Sequence, residues 1–427
     1  MAFLRRIDRI LLPLVLTLLA SLAHADETNL AERFRVSGFG TLGLTKGGND
    51  YLGFRSGLDQ EGVFDGDWSF LAESSLGLQV DFNSAEEWGG TIQLLAKDTV
   101  ADDLEESVSW AFLRYRFHPD WTLRVGRIGI DQYMLSDYRN VGFAYLWSRP
   151  PVEFYTPLSF RSLDGMSLDW STPLGSGMLT TKLQAGNSSN TFSTFGNQVE
   201  LNLKPVIVFN LHWEADRWQA RVSVSRLTLE PEDGYFPGSV PIAENLQSPF
   251  LAPFWPQAAS YADGFRVEDP DLYYYSTGFA YDSAPWRVQF EASYGESDTD
   301  FYPALMSGYL SVGYQIGPVT PFVMYSIAYT PEDRFEMVPP AAIGNPAIDV
   351  PLALLSQGLQ DGRDLARIDQ HTLSLGARWD IRYDIALKAQ WDHSWVSAYS
   401  GGLWDQKAVP SEDEELNTLS INLNFIF

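Results

Sequence analysis

The clearest pattern lies at the end of the chain, where Leu419, Ile421, Leu423, Phe425 and Phe427 alternate with Ser420, Asn422, Asn424 and Ile426. A period of two with one apolar and one mostly polar face is that of an extended strand between two different environments. The pattern recurs. Trp286, Val288, Phe290, Ala292 and Tyr294 oppose Arg287, Gln289, Glu291 and Ser293, and Ile385, Leu387, Ala389 and Trp391 oppose Asp384, Lys388, Gln390 and Asp392. Counting such segments predicts about sixteen strands. They lie at 34–45, 69–82, 90–97, 107–117, 121–129, 162–171, 177–187, 204–213, 217–228, 272–283, 286–296, 306–316, 319–329, 367–379, 382–397 and 416–427.

The connections alternate between short and long. Tight turns such as His118-Pro119-Asp120, Glu214-Ala215-Asp216, Ser283-Ala284-Pro285, Ile316-Gly317-Pro318 and Asp380-Ile381 are separated by long stretches at 46–68, 98–106, 130–161, 188–198, 230–271, 297–305, 330–366 and 398–415. An even strand count with alternating connections predicts an all-β fold, a transmembrane antiparallel β-barrel with short turns at one end and long loops at the other. Closure satisfies every ladder hydrogen bond, as a bilayer requires.

Composition narrows the class further. Arg5, Arg6 and Arg9, the apolar run 10–19 and Ala23-His24-Ala25 have the form of a secretory signal, so residues 1–25 are expected to be removed and 26–427 to form one barrel domain. Loss of three Arg and one Asp moves the formal charge from −26 to −28, which makes nucleic acid a poor partner. With no cysteine, neither a disulfide framework nor a thiolate site can exist. Beyond the signal, no apolar run reaches the ~20 residues of a membrane helix.

Three features together resemble the porin superfamily of Gram-negative bacteria: the opening FRVSGFGTLGLT at 34–45, the LRVGR at 123–127, and the aromatic Phe427 at the end of the last strand. The resemblance covers the whole mature chain. It implies an outer-membrane homotrimer of 16-stranded barrels, in contact with lipid and lipopolysaccharide, that passes small hydrophilic solutes and ions by passive diffusion, with no cofactor and no catalysis. It also implies that the third long loop, here 130–161, folds inward and narrows the barrel. Where general porins commonly carry Pro-Glu-Phe-Gly-Gly, this loop has Arg149-Pro150-Pro151-Val152-Glu153-Phe154-Tyr155, and 140–155 (NVGFAYLWSRPPVEFY) is similar to a less characterised porin-like group.

The aromatics and mixed charges of that loop suit packing against a polar wall better than free solvation. Parity turns Arg35, Glu73, Lys97, Arg114, Arg116, Arg124, Arg221, Arg287, Arg378 and Lys388 inward. The candidate constriction sets Arg114, Arg116 and Arg124 on the wall against Asp131, Tyr133, Asp137, Arg139, Arg149 and Glu153 on the loop, giving a transverse field that steers polar solutes. The plainer reading is that lumen arginines pair with neighbouring acids.

Other features carry competing readings. Trp110, Tyr115, Trp121, Trp213, Trp218, Trp286, Tyr329, Trp379, Trp391 and Trp395 are expected to form two interfacial girdles. Acid runs at 230–233, 268–271 and 412–415 offer sites for Ca²⁺ bridging to lipopolysaccharide, with plain solvation as the ordinary state and no EF-hand spacing. Gly38, Gly40 and Gly43 lie within a strand and indicate close packing rather than a nucleotide loop. A lipid-facing hydrolase built on His371 and His393 is the alternative from another class, and a substrate-selective channel is the alternative within transport.

Overall fold

In the computed structural model, which describes residues 33–84, 87–101, 106–194, 196–267, 271–297 and 303–427, sixteen antiparallel strands close into one barrel. They are β1 (Phe34–Lys46), β2 (Ser75–Ser84), β3 (Trp88–Lys97), β4 (Val108–His118), β5 (Trp121–Gly129), β6 (Ser162–Leu174), β7 (Gly177–Thr194) and β8 (Asn197–Glu214). The second half is β9 (Trp218–Leu229), β10 (Asp271–Ser283), β11 (Trp286–Ser297), β12 (Leu305–Tyr314), β13 (Val319–Tyr329), β14 (Asp369–Arg382), β15 (Ile385–Val396) and β16 (Glu414–Ile426). Each strand pairs with its sequence neighbours, and β1 pairs with both β2 and β16. The proposed signal lies outside the described residues.

The seam explains two sequence features at once. Gly38 and Phe427 exchange both backbone hydrogen bonds at 2.9 Å, and Gly40 stands opposite Phe425. The terminal rings lie flat over the glycines: a Cβ at Gly38 would sit 2.2 Å from the Phe427 ring, and one at Gly40 2.5 Å from Phe425. The glycines leave room for the aromatics that cover this junction.

Alternation sorts the faces as expected. Leu42, Leu113, Val125, Val222, Leu310 and Tyr325 are exposed on the outside, whereas Ser223, Ser311, Ser374, Gln390, Asn422 and Asn424 are buried inside. At the short-turn end Trp88, Tyr115, Phe117, Trp121 and Trp170 form a run of ring contacts continued by Trp218, Tyr281, Trp286 and Tyr314. At the long-loop end the aromatic cluster is narrower, with Tyr275 and Tyr294 on β10–β11 and Tyr325, His371, Trp391, His393 and Trp395 on β13–β15. Trp110 belongs to neither girdle. It pairs with Gln93, buried on the inner face, and so looks into the lumen.

Two element boundaries depart from expectation. The second strand begins at Ser75 rather than 69, because 70–74 leaves the ladder and carries Glu73 inward. The connection expected at 188–198 is instead continuous hairpin, with Thr194 paired to Asn197. Its Asn/Ser/Thr-rich sequence hides the strand, which is held by the full ladder and by Phe192, Leu201 and Leu203 turned inward.

The long loops after β9 and β13 build a small helical layer from α2 (Val240–Leu246), α3 (Ala258–Asp263) and α4 (Pro346–Leu365); α1 is reserved for a turn inside the barrel, Val152–Tyr155. Their core is Leu246, Trp255, Ala262, Phe265, Leu352 and Leu359. Arg334 ties α4 to the last loop, donating to Asp364 at 2.8 and 2.6 Å while its guanidinium lies 3.5 Å over Tyr399. No helix among the described residues is long and apolar enough to cross a membrane.

Candidate functional site: the inward loop and the cleft beside it

The 130–161 loop closes at its neck, where Ile130 N–H donates to the Arg161 carbonyl at 3.1 Å, and then crosses the lumen. Its first leg is fixed to β7–β11. Asp131 is buried between Lys182 and Arg221, its backbone N–H donates to Gln184 at 2.9 Å, and Ser276 donates to the Gln132 carbonyl at 2.7 Å. The Met134 N–H donates to Glu291 at 2.8 Å, and the same carboxylate accepts from Tyr155 and, at 2.7 Å, from Tyr309. Burial opposes ionisation of Asp131, but the Arg221 and Lys182 cations outweigh it and hold its carboxyl below the usual range.

The second leg is fixed to β13–β16, through its backbone and through two side chains. Lys388, fully buried, donates to the carbonyls of Tyr145 and Trp147 at 2.6 Å each and to that of Gly142. Its cross-strand neighbour Arg378 donates to the carbonyls of Phe143 and Tyr145 at 2.6 and 2.9 Å. Arg149 is held between Glu73 and Asp392 and donates to Ser420 at 2.7 Å. In α1, Glu153 accepts from Ser326 and Gln370 at 2.7 and 2.6 Å and from Thr372.

Between the legs the loop and the wall form an apolar core. Tyr133, Leu135, Trp147, Phe154 and Phe160 pack with Leu203, Val206, Val208, Leu227 and Met324, all buried. The inner wall is therefore apolar beneath the middle of the loop and polar beneath its two legs. A bulge between Leu203 and Val206 keeps both side chains inward.

The first and last loops seal this side. Leu52–Gly53 pairs with Asp405–Gln406, and Arg55 donates to the carbonyls of Ser193, Gly402 and Leu403 at 2.8, 3.1 and 3.2 Å. Burial draws the Arg55 guanidinium down to about 10 despite Asp405 and Asp59.

What stays open lies between the loop's free edge, 136–141, and β3–β7. A cavity of about 200 Å³ is lined by Gln93, Lys97, Trp110, Asp137, Tyr138 and Asn190. An adjoining one of about 110 Å³ is lined by Glu73, Ser74, Asn140 and Ser148. Arg139, Asn140, Lys97 and Arg161 line both. At the edge Asp59 takes Lys97 at 2.5 Å and Arg161 at 2.9 Å.

The expected constriction is thus divided. Asp131, Tyr133, Arg149 and Glu153 are buried and hold the loop, Arg149 also bordering the smaller cavity, while Asp137 and Arg139 line the cleft. Arg114 and Arg124 are a cross-strand pair on the inner face: Arg114 donates to Asn83 at 2.6 Å, and Arg124 lies 3.2 Å from Asp169. Arg116 is exposed on the same face. Of the three loop acids expected at the constriction, Asp137 is the one that lines the cleft. Sequence reading missed Asp59, Lys182, Glu291 and Asp392 as partners; inward parity is the signal that could have found the last three.

His371 and His393 lie on the outer face. His371 stacks on Trp395 at 4.8 Å, and His393 contacts Asn417 at 3.0 Å and Glu415 at 3.6 Å. Among the described residues neither meets a serine hydroxyl, and no group of acids and histidines is placed to hold a metal. Glu268 and Asp269 of the acid runs lie outside the described residues.

No family model matches the chain, and no curated protein matches its sequence. Solved structures match along 92% of it. The anion-selective porin from Comamonas acidovorans is 11% identical over all of its own chain with a TM-score of 0.53. The outer membrane channel DcaP of Acinetobacter baumannii is 12% identical over 97% with 0.52, and Salmonella typhi OmpF, in complex with daunomycin, 9% identical over 97% with 0.51. With its sixteen strands closed in sequence order and its third long loop folded within, the chain has the fold of the Gram-negative porins.

Proposed function

We propose that this protein is an outer-membrane channel through which small hydrophilic solutes and ions diffuse down their gradients. One observation carries the reading: beside a loop clamped to the rest of the wall, a polar, charged cleft remains along β3–β7. Solutes that can exchange water for Asn, Ser and charged groups would pass, and apolar ones would not. By the same reading the chain is exported by its 1–25 signal, assembles as a homotrimer amid lipid and lipopolysaccharide, and performs no catalysis.

The test is conductance of the purified protein in planar bilayers. Stepwise current is expected, and deleting 140–155 should raise each step. Absence of current at any voltage, or lipid hydrolysis in its place, overturns the proposal. A second reading, a substrate-selective channel, is favoured by the small cavities beside the loop. Current that saturates with one solute and not with others would choose it.

A further inference from the structure

The helical layer holds an opening of its own. Between α4 and the segment before it lies a groove of about 500 Å³, larger than either cavity beside the inward loop and sharing no lining residue with them. One face of α4 makes its floor. Asp349, Leu352, Ser356, Gln360 and Asp361 fall at the three- and four-residue steps that bring side chains onto one side of a helix. By the helical rise that face runs for about 18 Å.

The opposite wall is a strap held at both ends. Met337 N–H donates to Gln360 at 2.9 Å and the Val338 carbonyl accepts from Trp255 at 2.9 Å, while at the far end the amides of Ile343 and Gly344 donate to Asp349 at 2.9 Å each. Between these pins stand Pro339, Pro340, Ala341 and Ala342, whose short side chains leave the space against the helix open. A groove with both walls pinned is shaped before any ligand arrives.

Three charged side chains line it. Arg334 is taken up by Asp364, and Asp349 by the two amides. Asp361 is half-buried and, among the described residues, makes no hydrogen bond and no ion pair. Burial and the neighbouring Asp364 push its carboxyl above the usual range, against the pull of Arg334. It also stands near the C-terminal end of α4, where the helix dipole favours a cation over an acid. The loop as a whole leans the same way, with six acids against two arginines over 330–366.

We propose that this groove binds a small organic cation with an apolar body, its ammonium on the Asp361 carboxylate and its hydrocarbon along Leu352 and the Pro-Pro-Ala-Ala strap. The volume suits such a molecule, and apolar surface with one unpaired charge to fix orientation is what recognises it. The site lies apart from the cleft and goes beyond the channel reading.

The experiment uses the full-length protein in detergent and three probes with one apolar body: 4-phenylbutylammonium, 4-phenylbutanol and 4-phenylbutanoate. Calorimetry should show saturable binding of the ammonium, with the alcohol at least about tenfold weaker and the carboxylate weaker still. Asp361→Asn should bring the ammonium down to the level of the alcohol and leave the alcohol unchanged, which shows the groove intact. Because the variant sits in the same micelles, partition into detergent cancels. Ala353→Trp, which fills the groove from an exposed lining position, should abolish binding of all three.

Equal binding of ammonium and alcohol, ammonium binding undiminished in Asp361→Asn, or loss of the alcohol together with the ammonium in that variant would overturn the proposal. So would binding that survives Ala353→Trp, or no saturable binding of the ammonium at all. Conductance has no part in the test, so failure of the channel reading leaves the site untouched.

Discussion

The two sides of the lumen are built by opposite rules. Along β8–β16 the inward loop is fastened at every few residues, by Arg221 on Asp131, Glu291 on the Met134 amide, Lys388 on three carbonyls and Asp392 on Arg149. Along β3–β7 the facing edge of the same loop is fastened to nothing at Arg139, and the wall keeps its polar side chains in a cleft. Buried ion pairs seldom add net stability, but removing one partner is costly, so they fix which arrangement the loop adopts. The clamped side determines where the loop is. The unclamped side keeps a polar cleft.

Substitutions can break this contrast or sharpen it. The largest effect is expected for Arg149→Met, which strands Glu73 and Asp392 as buried carboxylates at a cost of about 3–5 kcal/mol to the docked loop. Thermal melting should fall, proteases should cut within 140–155, and single-channel conductance should rise. An intact loop under protease would mean the clamp does not position it. Lys388→Met should loosen the same leg less, by about 1–3 kcal/mol, because carbonyls without a donor can recruit water. The expected sign is a smaller rise in conductance, and no change would leave Arg378 as sufficient.

On the open side, replacing Arg114, Arg116 and Arg124 together with Gln should change stability by less than about 1 kcal/mol. It should shift the reversal potential toward cations; an unshifted potential would remove these arginines from the conduction path. The smallest effect is expected outside the barrel: His371→Phe and His393→Phe should stay within about 0.5 kcal/mol of the parent. They should leave conductance unaltered, and a lost lipid hydrolysis would instead revive the hydrolase alternative.

Much of the barrel was legible because its strands face two environments, and the period of two survives wherever apolar outside meets polar inside. It failed at 188–198, where Asn, Ser and Thr outnumber the apolar residues of the hairpin and blur the alternation. It could mislead for Trp110, whose aromatic character suggested an interface while its parity agreed with the lumen-facing Arg114. The candidate site was legible in part. Inward parity marked Arg221, Arg378 and Lys388, but strand residues carry parity and loop residues do not. Asp131 and Glu153 could not be separated from Asp137 and Arg139 by pattern alone.

The sequence by itself determined the strand order, the faces, the two kinds of connection and the presence of a long third loop. Each is a local property, set by alternation along one segment or by the length between two. Only the tertiary structure decided where that loop runs, which carboxylates its cations meet and which side of the lumen stays open. Those contacts join residues such as Arg149 and Asp392, 243 positions apart. They exist only once closure has brought distant strands around the loop, and no local periodicity records them.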